Sequence, residues 1–333
     1  MQPSQLCDGT PFSRYMEKLI EREPATRNPL VAAPALAVQF FLIPLAVVAV
    51  TVAVYFGFRS MLADARSPQD YLTEIRSGGM ARQWPAAYEL SQLMDDPKVR
   101  GDRNLAIALV KTFDEAKDGD PRVRKYLALA IGRLDPPLPA EAISVLVKSL
   151  DLPEKPWAPD VWSRINGWTA EMNEAHISTI WALGASGDAQ VVPSLQPLYA
   201  SPDAGVRKMV VYALGALPGD VQVVTLRTAL QDAAADVRWN AAIALARKGR
   251  EGAAPVLRQM LDRQYVEQTV KRDVRQDSDE DPVADVLISG LRAAAALKDE
   301  SLKTAVTTLS EQDRSMKVRQ AAIEALKLMD QHG

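Results

Sequence analysis

Two stretches decide the fold, Asp203-Ala-Gly-Val206-Arg207-Lys-Met-Val210-Val211-Tyr-Ala213-Leu214 and Asp236-Val237-Arg238-Trp-Asn-Ala241-Ala242-Ile-Ala244-Leu245. Counted from each arginine, apolar residues recur three, four and seven positions on, which places them on one face of an α-helix. The same frame fits Arg124 with Leu127, Ala128 and Ile131, His176 with Ile180 and Leu183, and Arg319 with Ala322, Ile323 and Leu326. Weaker copies end at Leu90 and Leu297. The end markers Leu183, Leu214 and Leu245 are 31 residues apart, whereas Ile131 to Leu183 and Leu245 to Leu297 each take 52. Two steps are thus one repeat plus an insertion. A second helical segment lies between successive markers, so seven helix pairs are expected, each too small to bury its stripe alone. No run alternates with a period of two for long enough to suggest a sheet.

At these residues the chain resembles the HEAT-like repeat family, in the short form also found in phycobilin-lyase-type repeats. The resemblance rests on the Asp-x-x-Val-Arg or Asp-Val-Arg start and on Ala182-Leu183-Gly184 and Ala213-Leu214-Gly215, and covers residues 80–330. It implies an all-α, right-handed α-solenoid. Independently of the family, Asp203 and Asp236 are expected to accept backbone N–H bonds at the start of the second helix of their pair. Arg124, Arg207, Arg238 and Arg319 are expected to reach aspartates of neighbouring repeats, a ladder of charge along the stack. Gly184 and Gly215 lie inside helical patterns, at about 1 kcal/mol below alanine, which close packing or a helix end would explain.

Upstream the chain changes character. From Ala35 to Phe58 no residue is charged, and only Gln39 and Thr51 are clearly polar. A hydrocarbon core about 30 Å thick takes about 20 helical residues, so this run predicts a single transmembrane helix. Pro44 is tolerable there, and Tyr55, Phe56 and Phe58 suit an interfacial girdle. Basic residues balance on the two sides, which leaves the orientation open. The expected organisation is therefore an N-terminal tail with a short amphipathic helix (1–34), the span (35–58), a juxtamembrane connector with the first helix (59–79), and the repeat domain (80–333) with insertions at 151–175 and 264–282. The expected location is a single-pass membrane protein, a bacterial inner membrane by preference.

Composition narrows the function. The 333 residues carry 39 Lys and Arg against 42 Asp and Glu, a net charge of −3, so no global positive field draws the chain to nucleic acid. One cysteine, Cys7, and two histidines, His176 and His332, exclude Cys/His zinc sites and make a His-based triad improbable. No cofactor or metal is expected. His176 stands where the other repeats have arginine. The first insertion carries Trp157, Trp162 and Trp168 among Pro153, Pro156 and Pro159, aromatic anchors of the kind that make a binding hot spot, unless they fold back to seal the stack. The second insertion ends in Asp277-Ser-Asp-Glu-Asp281, without the glycine and terminal glutamate of a calcium loop, and reads as a solvated loop. The expected role is a membrane-anchored scaffold or adaptor for a protein partner, an accessory subunit of a membrane complex and not an enzyme. The alternative is an enzyme or enzyme subunit of the bilin-lyase type.

Overall fold

The computed structural model describes residues 43–62, 66–150, 168–270 and 281–331. They divide into two compact units, 1–65 and 66–333, in which seventeen α-helices and no strands are described. The tail helix expected before residue 34, the acidic run 277–280, Trp157 and Trp162 lie outside the described residues.

In the first unit α1 runs Ile43–Leu62 and begins one residue before Pro44, where a missing N–H costs nothing. Its described side chains, 45–57, are exposed on every side, Leu45, Val50, Tyr55 and Phe56 among them. The span expected over 35–58 is not found in that form. Residues 35–42 lie outside the described residues, and among the described ones no helix is long and apolar enough to cross a membrane.

The second unit is a succession of helix pairs. The first is α2 (Pro68–Ser77) with α3 (Met80–Leu93), followed by the single turn α4 (Pro97–Arg100). Next come α5 (Arg103–Glu115) with α6 (Pro121–Gly132), and α7 (Ala140–Lys148) with α8 (Trp168–Ala185). The first limb of the fourth pair is α9 (Val192–Leu195) between two 3₁₀ turns, and its second limb is α10 (Ala204–Ala216). Then follow α11 (Val223–Ala229) with α12 (Ala235–Arg247), and α13 (Ala254–Met260), an inserted α14 (Arg263–Thr269) and α15 (Pro282–Leu297). The last pair is α16 (Lys303–Gln312) with α17 (Met316–Asp330).

Local chemistry sets these boundaries. Asp102, Asp120, Asp203, Asp262 and Asp281 each accept N–H bonds one turn into the helix they precede, a cap worth about 1 kcal/mol. Proline at the first helical position follows Asp96, Asp120 and Asp281, preset for helix and lacking a donor that would be idle there.

The second helices form a continuous row, α3, α6, α8, α10, α12, α15, α17, each packed on the one before and the one after. Their stripes make the core: Leu90, Leu127, Ile131, Leu183, Leu214, Leu245 and Leu291 are buried completely. Three steps of the row place a glycine against an alanine of the next helix. A Cβ on Gly132 would stand 2.8 Å from Ala182 Cα, one on Gly184 2.7 Å from Ala213 Cα, and one on Gly215 2.5 Å from Ala244 Cβ. Gly184 and Gly215 thus combine close approach with a place in the last turn of their helices.

Two differences from the sequence reading have physical causes. Ile323, expected inside, is 39% exposed, and α17 buries Val318, Ala322, Ala325 and Met329 instead. As the last helix described in the row it has no following helix to cover that flank. The second insertion is also not all loop. Its first half is α14, pinned by fully buried Val266 and by Arg263, whose guanidinium holds buried Asp313 at 2.7 Å through both oxygens.

Candidate functional site

Polar and aromatic contacts link successive helices of the second-helix row. Tyr88 of α3 meets Tyr126 of α6 edge to face at 5.2 Å. Lys125 of α6 reaches Glu174 of α8 at 2.6 Å, Asn173 of α8 donates to Asp203 at the head of α10 at 3.1 Å, and Lys208 of α10 pairs with Asp236 of α12 at 3.4 Å. Tyr212, one turn beyond Lys208, is 46% exposed.

The arginines singled out by the repeat differ in their partners. Arg207 is saturated. Its Nε and Nη2 donate to both oxygens of Asp232 at 2.9 and 3.0 Å, and its Nη1 donates to the carbonyls of Ser201 and Pro202. Tyr199 also donates to Asp232, at 3.0 Å. The Arg207 guanidinium, aided by the Ala234 N–H and Tyr199, holds the Asp232 carboxyl down at about 2 from an ordinary 3.8 against the opposing effect of burial. Burial and the adjacent carboxylate push the Tyr199 phenol up to about 12.

Arg238 donates to the Asp232 and Ala233 carbonyls and to the Tyr265 hydroxyl at 3.0 Å; Arg319 donates to the Asp313 carbonyl and touches the Met316 sulfur. Among the described residues Arg207 is thus the one of the four that pairs with a carboxylate. Asp203 caps α10 through the N–H groups of Gly205 and Val206 at 2.7 and 3.1 Å. Asp236 does not cap α12. It lies inside the first turn, accepts only from adjacent Val237, and faces Lys208, while Ala234, with no side-chain oxygen, holds the cap position.

The residue that sequence reasoning missed is Asp232. The signal is present, since Asp118, Asp232 and Asp313 each stand six positions before a repeat arginine.

Arg124 is the exception in the series. Its Nη1 reaches the Lys117 carbonyl at a long 3.4 Å, its Nε is buried with no hydrogen-bond partner, and the guanidinium lies over the Phe113 ring at 5.3 Å. It lines a part-open cleft of about 230 Å³ between the α5–α6 turn and α8, together with Lys117, Asp118, His176 and Thr179. Burial pushes the Arg124 guanidinium down despite Asp118 and Asp114 nearby; burial, then Arg124 itself, lowers His176 and keeps the imidazole neutral. The Thr179 hydroxyl is committed to the Ala175 carbonyl at 3.0 Å. Trp168 opens α8, and its side chain is outside the described residues. No group of metal-ligating side chains converges among the described residues.

No protein-family model matches the chain, and no curated protein matches it. Among solved structures, human deoxyhypusine hydroxylase in complex with glycerol is similar at 16% identity, covering 79% of this chain and 95% of its own, with a TM-score of 0.29. That similar structure is of an enzyme, which runs against the expectation that the chain is not one. So low a TM-score carries neither that protein's activity nor its fold to this chain. The repeat architecture rests on the helix pairs themselves.

Proposed function

We propose that the repeat unit is a HEAT-like, right-handed stack that serves as a docking platform for a protein partner, tethered to a membrane through the apolar run 35–58 as an accessory subunit of a membrane complex. The observation that carries the platform is the second-helix row, where exposed Tyr88, Lys208 and Tyr212 and half-buried Lys125 and Tyr126 interleave rings and charges over several repeats. The tether is supported by the apolar side chains exposed all round α1. Trp157 and Trp162 of the first insertion are the aromatic anchors the sequence offers such a partner.

Crosslinking in native membranes followed by mass spectrometry tests this reading. Recurrent crosslinks from the second-helix row to one membrane-complex subunit support it, and crosslinks confined to the chain itself contradict it. Replacing Trp157 and Trp162 by alanine is expected to weaken partner capture while leaving the melting temperature nearly unchanged.

A second reading, an enzyme or enzyme subunit of the bilin-lyase type, draws on the cleft at Arg124, where a neutral His176 stands beside two cationic side chains in a part-enclosed space. A pigment that co-purifies with the full-length chain, seen by its absorbance, favours that reading over the first.

A further inference from the structure

Of the four repeat arginines, Arg124 is the one with a buried donor that finds no acceptor among the described residues, and that difference identifies a site. In the α10–α12 step the arginine finds its acceptor on the turn of the following pair, 25 residues downstream, where Asp232 meets it through two oxygens. Arg263 and Asp313 repeat that two-oxygen geometry elsewhere in the stack. In the α6–α8 step the chain takes 52 residues where 31 is the rule, and among the described residues no carboxylate pairs with Arg124. Arg124 keeps one long bond to a carbonyl and a buried Nε with no partner. A desolvated guanidinium in that state is costly, and its fixed fork matches one class of ligand best.

We infer that the cleft between the α5–α6 turn and α8 binds a carboxylate, held by the Arg124 guanidinium, with Lys117 as the second cation and His176 against its wall. Asp118 and Asp114 lie near Arg124, and neither forms an ion pair with it among the described residues. The site is thus electropositive at the guanidinium and acidic at its rim. The rim disfavours a multiply charged anion such as phosphate more than a singly charged carboxylate. The carboxylate comes either from a free small acid or from an acidic side chain of a polypeptide. The second source rests on the platform reading given above; the site's chemistry does not.

The full-length chain carries only two histidines, so the ring resonances of His176 are assignable by comparison with a His332→Gln variant. Titration with acetate, with an end-blocked tetraglutamate peptide and with its tetraglutamine counterpart reads the site directly. A saturable shift of the His176 ring by either carboxylate probe, none by tetraglutamine, and binding at least about tenfold weaker in Arg124→Met than in Arg124→Lys are expected. Saturation by acetate assigns a free small acid, and saturation by the peptide alone assigns a polypeptide. Lys117→Met, on the exposed turn, gives a second weakening should Arg124→Met fail to fold. No shift by either probe, or equal binding in all variants, overturns the site. Membrane crosslinks persisting in that case leave the platform standing, and carboxylate binding without crosslinks leaves the site standing.

Discussion

The α10–α12 step and the α6–α8 step are built from the same repeat, yet one is closed and the other open. Both bring second helices together through a glycine facing an alanine, Gly215 on Ala244 and Gly132 on Ala182, and both carry an arginine near the start of the leading helix. In the regular step that arginine, a buried aspartate and a tyrosine satisfy one another. In the step that carries the insertion the arginine is left beside a cleft with a donor unmet. A residue conserved in position along one chain can thus be structural at one tier and available for binding at another.

The largest expected effect follows from breaking the closed step. Asp232→Ala leaves the Arg207 guanidinium and the Tyr199 hydroxyl without their acceptor and should cost about 3 kcal/mol, or roughly 6 to 12 °C in melting temperature. Because the carboxyl's folded value of about 2 lies below its ordinary 3.8, its contribution is present above about pH 4 and lost as pH falls towards 2. The difference between wild type and variant should therefore shrink across that window by about 2 kcal/mol, seen by thermal melts at a series of pH values. A difference that does not change with pH would detach the carboxylate from the stability of this step.

Overpacking the glycine contact comes next. Gly215→Ala puts a methyl 2.5 Å from Ala244 Cβ and should cost about 2 kcal/mol by denaturant titration, although alanine is the better helix former. A stabilised variant would mean that α10 and α12 do not approach as closely as described. Smaller again is the contrast between the two aspartates. Asp203→Ala removes a cap and should cost about 1 kcal/mol, whereas Asp236→Ala removes an exposed pair with Lys208 and should fall within about 0.5 kcal/mol of wild type.

The period of 31, the two lengthened steps and the seven helix pairs are all legible in the sequence because burial of a stripe fixes apolar spacing strictly. The site is less legible. Counting Asp236 as a cap followed from its nearness to Arg238, but caps are set by distance to the helix, and four residues before each arginine stand Asp203 in one repeat and Ala234 in the next. Asp232 was hidden for a different reason. Its role comes from a partner 25 residues upstream, a contact that no local pattern encodes. Val266 and Arg263 dock α14 by tertiary contacts of the same kind, in a segment too short to show a period. Arg124 could be aligned with its counterparts from sequence alone, but the burial of its Nε without an acceptor is a tertiary fact that no local pattern encodes.

The contrast between the two steps is measured most directly by thermal melts of Arg207→Met and Arg124→Met in the full-length chain. Arg207→Met strands a buried carboxylate and should destabilise by about 3 kcal/mol, while Arg124→Met replaces an unsatisfied donor with an apolar chain of similar length and should stay within about 1 kcal/mol of wild type. Equal losses in the two variants would contradict the assignment of one arginine to the architecture and the other to a binding site.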